Sequence, residues 1–228
     1  MWCIGIGTGT HGRRSRAERD TPTAATKPGG RIHDARAWLT AAGAGALTAA
    51  LLFAAPPPEA AYVDGPPAAH TGAFGGETCH ACHFENDLDA PGGSLTLRGV
   101  PDTFDRSETY RITVSLQRAG MERAGFQLAA RVSEGDGAGG PVGALLALDG
   151  DERVQVVAGP DGTAYAQHTE PGTALRGAAE TSWTVEWRPP AAGGPVVFHV
   201  AANAANDDAS EFGDFIYTAS ATTRSAGF

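Results

Sequence analysis

Residues 110–117 read Tyr-Arg-Ile-Thr-Val-Ser-Leu-Gln, with a large apolar side chain at every second position. In an extended chain, successive side chains point to opposite faces, so a period of two separates an apolar face from a polar one. The segment therefore predicts a β-strand with one face buried and the other face in contact with solvent.

The same alternation recurs in both directions along the chain after residue 90. It predicts further strands at residues 94–98, 126–132, 142–148, 154–157, 183–187, 195–202 and 215–222. Turn signals such as Gly139-Gly140 separate these strands, and Pro189-Pro190 ends one of them because proline cannot donate to a sheet ladder. Eight or nine short strands without a helix of ordinary length are typical of a β-sandwich. The strands at 110–117 and 126–132 are expected to pair around Ala119-Gly120.

Composition and charge narrow the classes of partner. The chain has 228 residues, among them 31 Gly and 15 Pro, and a net charge of −9. The first 61 residues carry seven basic and four acidic side chains, so the remaining part, with ten basic and 22 acidic residues, carries about −12. A domain this acidic repels nucleic acid and anionic lipid, and we expect neither as a partner.

The first 61 residues do not have the pattern of a folded domain. Residues 1–30 are polar and without periodicity, which is typical of disorder or of a start codon assigned too far upstream. Residues 31–61 place an uncharged run after Arg31 and Arg36, which predicts a secretory signal peptide or, if uncleaved, an N-terminal membrane anchor. Residues 62–78 are rich in Pro and Gly and are predicted to form a linker. We therefore expect an exported protein of the periplasm, the cell surface or the extracellular space.

Residues 79–83 read Cys-His-Ala-Cys-His, the C-x-x-C-H pattern of c-type haem attachment. In that pattern the thiols of Cys79 and Cys82 add across the haem vinyl groups, and His83 binds the iron as proximal ligand. The sequence thus predicts one covalently bound haem c on an attachment segment over residues 79–90. Cys3 lies in the leader, so the two cysteines of the motif are not part of a larger disulfide framework.

Two other chemistries remain open for this motif. Cys79 and Cys82 can form a local disulfide, or they can share a zinc ion with His80 and His83. The zinc alternative fits the spacing less well, because finger-type sites separate their two ligand pairs by about a dozen residues or more.

A sixth iron ligand, if the chain provides one, must come from a residue distant in sequence. The candidates are His70, His168, His199 and Met121. His168 follows the small residues Ala164 and Ala166 on one strand face, which leaves room for a flat ring. For each histidine the alternative is an ordinary half-buried side chain without a ligand role.

Side-chain oxygens cluster in the loop after the strand at 195–202. Calcium prefers oxygen ligands, which makes a candidate site of Asn203, Asn206, Asp207, Asp208 and Asp214. Their order does not match an EF-hand loop, and a polar turn with local side-chain-to-backbone bonds is the simpler interpretation. Motifs of hydrolases, phosphate loops and dinucleotide sites are absent from the sequence, so we do not expect an enzyme.

Several blocks of the sequence together resemble a known family. The blocks are residues 71–83, 110–114, 125–128, 167–169, 183–187, 203–206 and 213–217. In this order, over about residues 70–223, they resemble bacterial choice-of-anchor V domains, which are similar to the Reeler domain of reelin-type extracellular proteins. The resemblance implies an immunoglobulin-like sandwich over residues 91–223. It also makes His168 the first choice for the distal ligand, because a histidine stands in the corresponding block of the family. The chain departs from the family after Tyr217, where no anchor sequence follows.

Two functional hypotheses follow from these observations. The first is an exported monohaem c-type cytochrome-like protein that transfers electrons to a redox protein partner, with its acidic surface suited to a basic partner. The alternative is a non-enzymatic cell-envelope or extracellular binding or adhesion module, in which Cys79 and Cys82 form a structural disulfide.

Overall fold

The computed structural model describes residues 62–191 and 194–226. The predicted disordered start at 1–30 and the predicted signal or anchor segment at 31–61 lie outside the described residues. Within the described ranges, no helix is long and apolar enough to cross a membrane.

Ten strands are formed in the described part of the chain. They are β1 (Gly93–Arg98), β2 (Thr103–Phe104), β3 (Tyr110–Arg118), β4 (Arg123–Val132), β5 (Ala144–Ala147), β6 (Val154–Ala158), β7 (Ala164–His168), β8 (Glu180–Arg188), β9 (Val196–Ala205) and β10 (Phe215–Ser225). The helical segments are single 3₁₀ turns at Ala73–Gly75, Cys79–Ala81 and Pro171–Thr173. For the described residues after residue 90, the prediction of an all-β fold without ordinary helices is confirmed.

The strands form two sheets that pack face to face. One sheet has the order β1-β3-β8-β5, and the other has the order β2-β10-β9-β4-β7-β6. Every pairing is antiparallel except that of β2 with β10. Trp183 of the first sheet stacks on Phe126 of the second with 4.6 Å between ring centroids, and Trp187 meets Phe198 edge to face at 5.0 Å. The molecule is therefore a β-sandwich with an aromatic core.

One predicted strand pairing is wrong. β3 and β4, which we expected to form a hairpin around Ala119-Gly120, lie in opposite sheets. β3 pairs with β1 and β8, whereas β4 pairs with β7 and β9. Alternation identifies the face that a strand buries, but it does not identify the neighbour to which the strand bonds. Both strands turn their apolar faces toward the shared core, and the connection at Gly120 passes from one sheet to the other.

The two sheets differ in what covers their outer faces. β3 and β8 alternate between buried and more accessible residues, so the outer face of the four-stranded sheet meets solvent. β4 is buried on both faces over most of its length, including Gln127 and Ala129 of the outer face. Burial of both faces requires another layer of protein over the six-stranded sheet.

Residues 62–90, called the strap below, form that layer. The strap starts beside β6 and β7, where the side chain of Gln155 donates to the carbonyl of Asp64 at 2.5 Å. It passes β4, where Gln127 bonds both Pro67 and His70, and it ends on β10, where Asp89 accepts the Thr218 N–H at 2.6 Å. Residues 62–78, predicted as a linker, are thus packed against the sheet, and several of their backbone carbonyls accept hydrogen bonds from it. Proline lacks a backbone N–H but keeps its carbonyl as an acceptor.

Candidate functional site

The Cys-His-Ala-Cys-His segment lies within the strap, on the outer side of β9. An isolated bridge between Thr71 and Thr78 closes the loop that precedes it. The hydroxyl of Thr78 accepts the N–H of His80 at 3.1 Å and caps the 3₁₀ turn Cys79–Ala81. Side chains three residues apart in a 3₁₀ turn lie over one another, so the turn brings Cys79 and Cys82 to the same side.

The carbonyl of Cys79 organises the rest of the motif. It accepts the backbone N–H groups of Cys82 at 3.2 Å and of His83 at 3.0 Å. These two bonds fold the chain back so that the thiol pair and the His83 ring belong to one compact turn. The spacing of the motif therefore produces the local arrangement on which the haem prediction depends.

Both thiols of the motif are free, and their environments differ. Cys79 is half-buried and Cys82 is exposed. Burial, opposed by a backbone hydrogen bond and assisted by Cys82, raises the pKa of Cys79 to about 12. Cysteines that catalyse thiol–disulfide exchange have a lowered pKa, because the thiolate is the nucleophile. Cys79 therefore does not have the lowered pKa of a catalytic thiol.

His83 is anchored by a carboxylate from a distant part of the chain. Its Nδ1 lies 2.7 Å from Oδ2 of Asp214, and the side chain of Asp214 is only 2% exposed, against 29% for His83. Nδ1 is thus the end of the ring that faces the protein. Nε2, the nitrogen through which a C-x-x-C-H histidine binds iron, has no hydrogen-bond partner among the described residues.

Asp214 is held from several directions. Its Oδ2 accepts the side-chain N–H of Asn203 at 2.9 Å, and its Oδ1 accepts the backbone N–H of Asn206 at 3.1 Å. Its backbone carbonyl accepts from the Asn86 side chain at 2.9 Å, which ties the strap to the start of β10. A carboxylate with this many donors is fixed in place, and it fixes the imidazole that bonds to it.

His80 points to a different partner. Its Nε2 lies 2.8 Å from the backbone carbonyl of Asn86, so the ring lies against the strap itself. Within residues 62–191 and 194–226, no group of three or more His, Cys, Asp or Glu side chains could hold a metal ion. The zinc alternative, which needs both histidines beside both thiols, is not supported by this arrangement.

The candidate calcium residues form a hydrogen-bonded turn. Asp208 accepts from the backbone N–H and the hydroxyl of Ser210, and these bonds lower the pKa of Asp208. Asp207 forms an ion pair with Arg123 at 2.5 Å, and Asn206 donates to Asp208 at 3.0 Å. The oxygens of Asp207 and Asp208 serve local donors, as the simpler interpretation of a polar turn predicts, whereas the buried Oδ1 of Asn203 has no hydrogen-bond partner within the part of the chain that the structure describes.

His168, our predicted distal ligand, is a buried residue at the end of β7. Its Nδ1 accepts the backbone N–H of Phe126 at 3.0 Å, and its Nε2 lies 3.1 Å from the carbonyl of Tyr62. Burial lowers the pKa of His168 and outweighs these hydrogen bonds. Both ring nitrogens already have partners, so the geometry disfavours His168 as an iron ligand and gives it a role in joining the strap to the sheet.

The other candidates for a sixth ligand are placed as follows. Met121 is 6% exposed and belongs to the core cluster of the sandwich. Nδ1 of His70 lies 2.9 Å from the carbonyl of Pro67. His199 lies on the outer face of β9 beneath Phe74, with 5.7 Å between their ring centroids, and burial lowers its pKa. No hydrogen bond, ion pair or ring contact joins any of these three described residues to His83.

Two exposed aromatic side chains come from segments next to His83 and Asp214 in the sequence. Phe84 and Phe212 are 55% and 48% exposed and meet edge to face at 6.0 Å. Phe84 follows His83 directly, and Phe212 precedes Asp214 by two residues. A porphyrin is a large apolar ring system, and exposed aromatic side chains beside its attachment point fit such a group. Together with the free thiols and the free Nε2, they make the residues present compatible with a covalent haem.

The sequence prediction missed two features of this site. The sequence presents Asp214 as part of a polar turn or a candidate calcium site, and its bond to His83 leaves no local pattern because the two residues are far apart in the chain. The Phe84–Phe212 contact is not predictable from the sequence for the same reason, since the two rings meet only when the strap lies on the turn before β10. The local signal for this aromatic pair is Phe84, which directly follows the C-x-x-C-H motif in the sequence.

Comparison with known proteins gives similarities to solved structures. No family model matches the chain, and no curated protein matches it. Among solved structures, the chain is similar to the Reelin-N domain of F-spondin, with 21% identity, a TM-score of 0.41, and coverage of 65% of this chain and 97% of that one. It is also similar to the human F-spondin reeler domain, with 23% identity, a TM-score of 0.40, and coverage of 61% of this chain and 95% of that one. A cohesin module from a Clostridium perfringens family 33 glycoside hydrolase is less similar in sequence, with 10% identity, a TM-score of 0.37, and coverage of 60% of this chain and 98% of that one. These similarities concern the β-sandwich fold alone.

Proposed function

We propose that the chain is a non-catalytic exported module that holds one covalent haem c on its strap and takes part in electron transfer. Cys79 and Cys82 would form the thioether bonds, and His83 would bind the iron through Nε2. The observation that carries the proposal is the 2.7 Å bond between His83 Nδ1 and the buried Asp214. Metal-binding histidines characteristically donate their second ring nitrogen to a carboxylate or a carbonyl, which fixes the tautomer and the ring orientation.

The haem would supply one-electron chemistry between ferrous and ferric iron, while the protein supplies attachment and orientation. Asp214 orients the ring of His83, and Asn203 and Asn206 orient Asp214. Phe84 and Phe212 offer apolar contact beside the attachment point. A domain with a net charge of about −12 favours docking to a basic redox partner by complementary charge.

Expression of the full chain with a cytochrome c maturation system tests this proposal. A haem-stained band that survives a denaturing gel is expected for the natural sequence and for His80→Ala, since His80 is turned toward Asn86. The band is expected to be lost in a Cys79→Ser/Cys82→Ser variant. Absence of covalent haem from the natural sequence, in cells that mature a control cytochrome, would refute the proposal.

A second candidate function is a binding module for another protein, with Cys79 and Cys82 joined as a disulfide. The exposed Phe84–Phe212 pair favours it, because contiguous exposed aromatic side chains are also typical of protein interfaces. Intact mass of protein recovered from an oxidising compartment distinguishes the two functions. A mass lower by two hydrogens supports the disulfide, whereas a mass increased by one haem supports the first proposal.

A further inference from the structure

The bond between His83 and Asp214 has a chemical consequence beyond orientation. A carboxylate that accepts the Nδ1–H of an imidazole increases the basicity of Nε2, so the histidine becomes a stronger electron donor to a metal. Asp214 is well placed for this effect because it is 2% exposed and its oxygens accept from Asn203 and Asn206 as well. Strong donation from the proximal side stabilises ferric iron and lowers the reduction potential.

The same bond also determines on which side of His83 a metal would lie. The two ring nitrogens of an imidazole lie on different edges of the ring. Since Nδ1 faces the buried Asp214, Nε2 lies on the edge of the ring that is turned away from this carboxylate.

The candidate sixth ligands of the described part lie elsewhere. Met121 is in the core between the sheets, and both nitrogens of His168 are bonded to backbone groups. His199 lies on the sheet beneath Phe74, and His70 is bonded within the strap. As these four residues are placed, their side chains already have other partners or lie in the core, so none of them is offered to a metal on Nε2 of His83.

We infer that His83, if the proposed haem is attached, would bind the iron as a strong donor and would leave it able to bind a small exogenous ligand such as carbon monoxide. The inference rests on the proposed function and deepens it, since it assigns the ligand class. Asp214 is the positioning residue of the site: it acts on the iron only through His83.

Optical and resonance Raman spectra of the matured full chain test the inference. The ferrous protein is expected to be high-spin, to shift its Soret band on addition of carbon monoxide, and to show an iron–histidine stretching band. Asp214→Asn removes the charge while retaining the shape, and it is expected to move that stretching band to lower frequency and to raise the reduction potential. Asp208→Asn, which changes an exposed carboxylate of the same turn, is the matched control and is expected to leave both quantities unchanged.

The outcomes separate the inference from the proposed function. Covalent haem with a low-spin ferrous spectrum that carbon monoxide does not change would overturn the inference and leave the haem proposal standing. Restoration of a high-spin spectrum by His199→Ala or His168→Ala would then identify the residue that occupies the sixth position. Unchanged stretching frequency and potential in a folded Asp214→Asn protein would overturn the role of Asp214. Absence of haem would overturn the proposed function itself.

Discussion

A Cβ atom added to Gly125 would lie 2.6 Å from Cε1 of His168. β4 therefore approaches the imidazole so closely that only glycine fits, and this approach allows the neighbouring N–H of Phe126 to bond to Nδ1 of His168 at 3.0 Å. The ring then reaches the carbonyl of Tyr62 at 3.1 Å. One glycine on β4 thus permits a contact that connects the sheet to the start of the strap.

Replacement of Gly125 by alanine is expected to destabilise the domain. The added methyl group would collide with a buried ring that has little freedom to move, and overpacking of this kind costs about 1–3 kcal/mol. Urea unfolding of the Gly125→Ala variant measures the change. Gly194→Ala is the matched control, because a Cβ there meets no atom within 4 Å. Equal stability of the two variants would contradict the close approach.

Burial of His168 predicts how stability depends on pH. An unperturbed histidine has a pKa of 6.5, and burial lowers the pKa of His168 below this value in the folded chain. The unfolded chain therefore binds a proton more readily than the folded chain does. The contribution to stability is complete above pH 6.5 and is lost as the pH falls below that value toward the folded pKa. Urea unfolding over this range should show falling stability in the natural sequence and a shallower slope in His168→Asn. Part of the slope should remain, since burial also lowers the pKa of His199. An identical slope in the variant would count against this account.

Gln127 is expected to control how firmly the strap is held. Its amide is fully buried, donates to Pro67 at 2.9 Å and to Gln167 at 2.8 Å, and accepts the N–H of His70 at 2.7 Å. Gln127→Leu keeps the approximate volume but leaves buried groups unsatisfied, which costs about 1–3 kcal/mol. Limited proteolysis and amide hydrogen exchange should reveal faster opening of residues 62–78. Gln117→Leu, at an exposed site of the other sheet, is the control, and strap protection equal to that of the control would contradict the prediction.

The two motif cysteines should differ in reactivity in haem-free reduced protein. Cys82 is exposed, whereas the pKa of Cys79 is raised to about 12, so Cys79 holds very little thiolate at neutral pH. Single-cysteine variants in a Cys3→Ser background are expected to react with a disulfide reagent much faster at Cys82 than at Cys79. Denaturant should remove the difference, because it is a property of the fold. Similar reaction rates of Cys79 and Cys82 in the folded protein would contradict the raised pKa of Cys79.

Local patterns predicted most of the strands. The alternation at residues 110–117 corresponds to β3 (Tyr110–Arg118), and the tryptophan-containing strand β8 ends at Arg188, directly before the two prolines. These features depend on side-chain direction and on the missing N–H of proline, both of which are local properties. The partners of each strand were less predictable, and the expected β3–β4 hairpin was wrong because pairing depends on contacts across the whole core.

The sequence by itself determined the all-β class and the turn at Cys79–Cys82, in which the spacing of Cys79, Cys82 and His83 creates a local arrangement that one 3₁₀ turn completes. Tertiary structure alone decided that residues 62–90 lie on the six-stranded sheet and that His83 bonds to Asp214. Tertiary structure also brings both ring nitrogens of His168 within hydrogen-bond distance of backbone groups. The physical reason is that a hydrogen bond between distant residues forms only when the sheets have packed. Its donor and acceptor leave no periodic signal in the chain, whereas a strand face or a turn is recorded in residues that are neighbours.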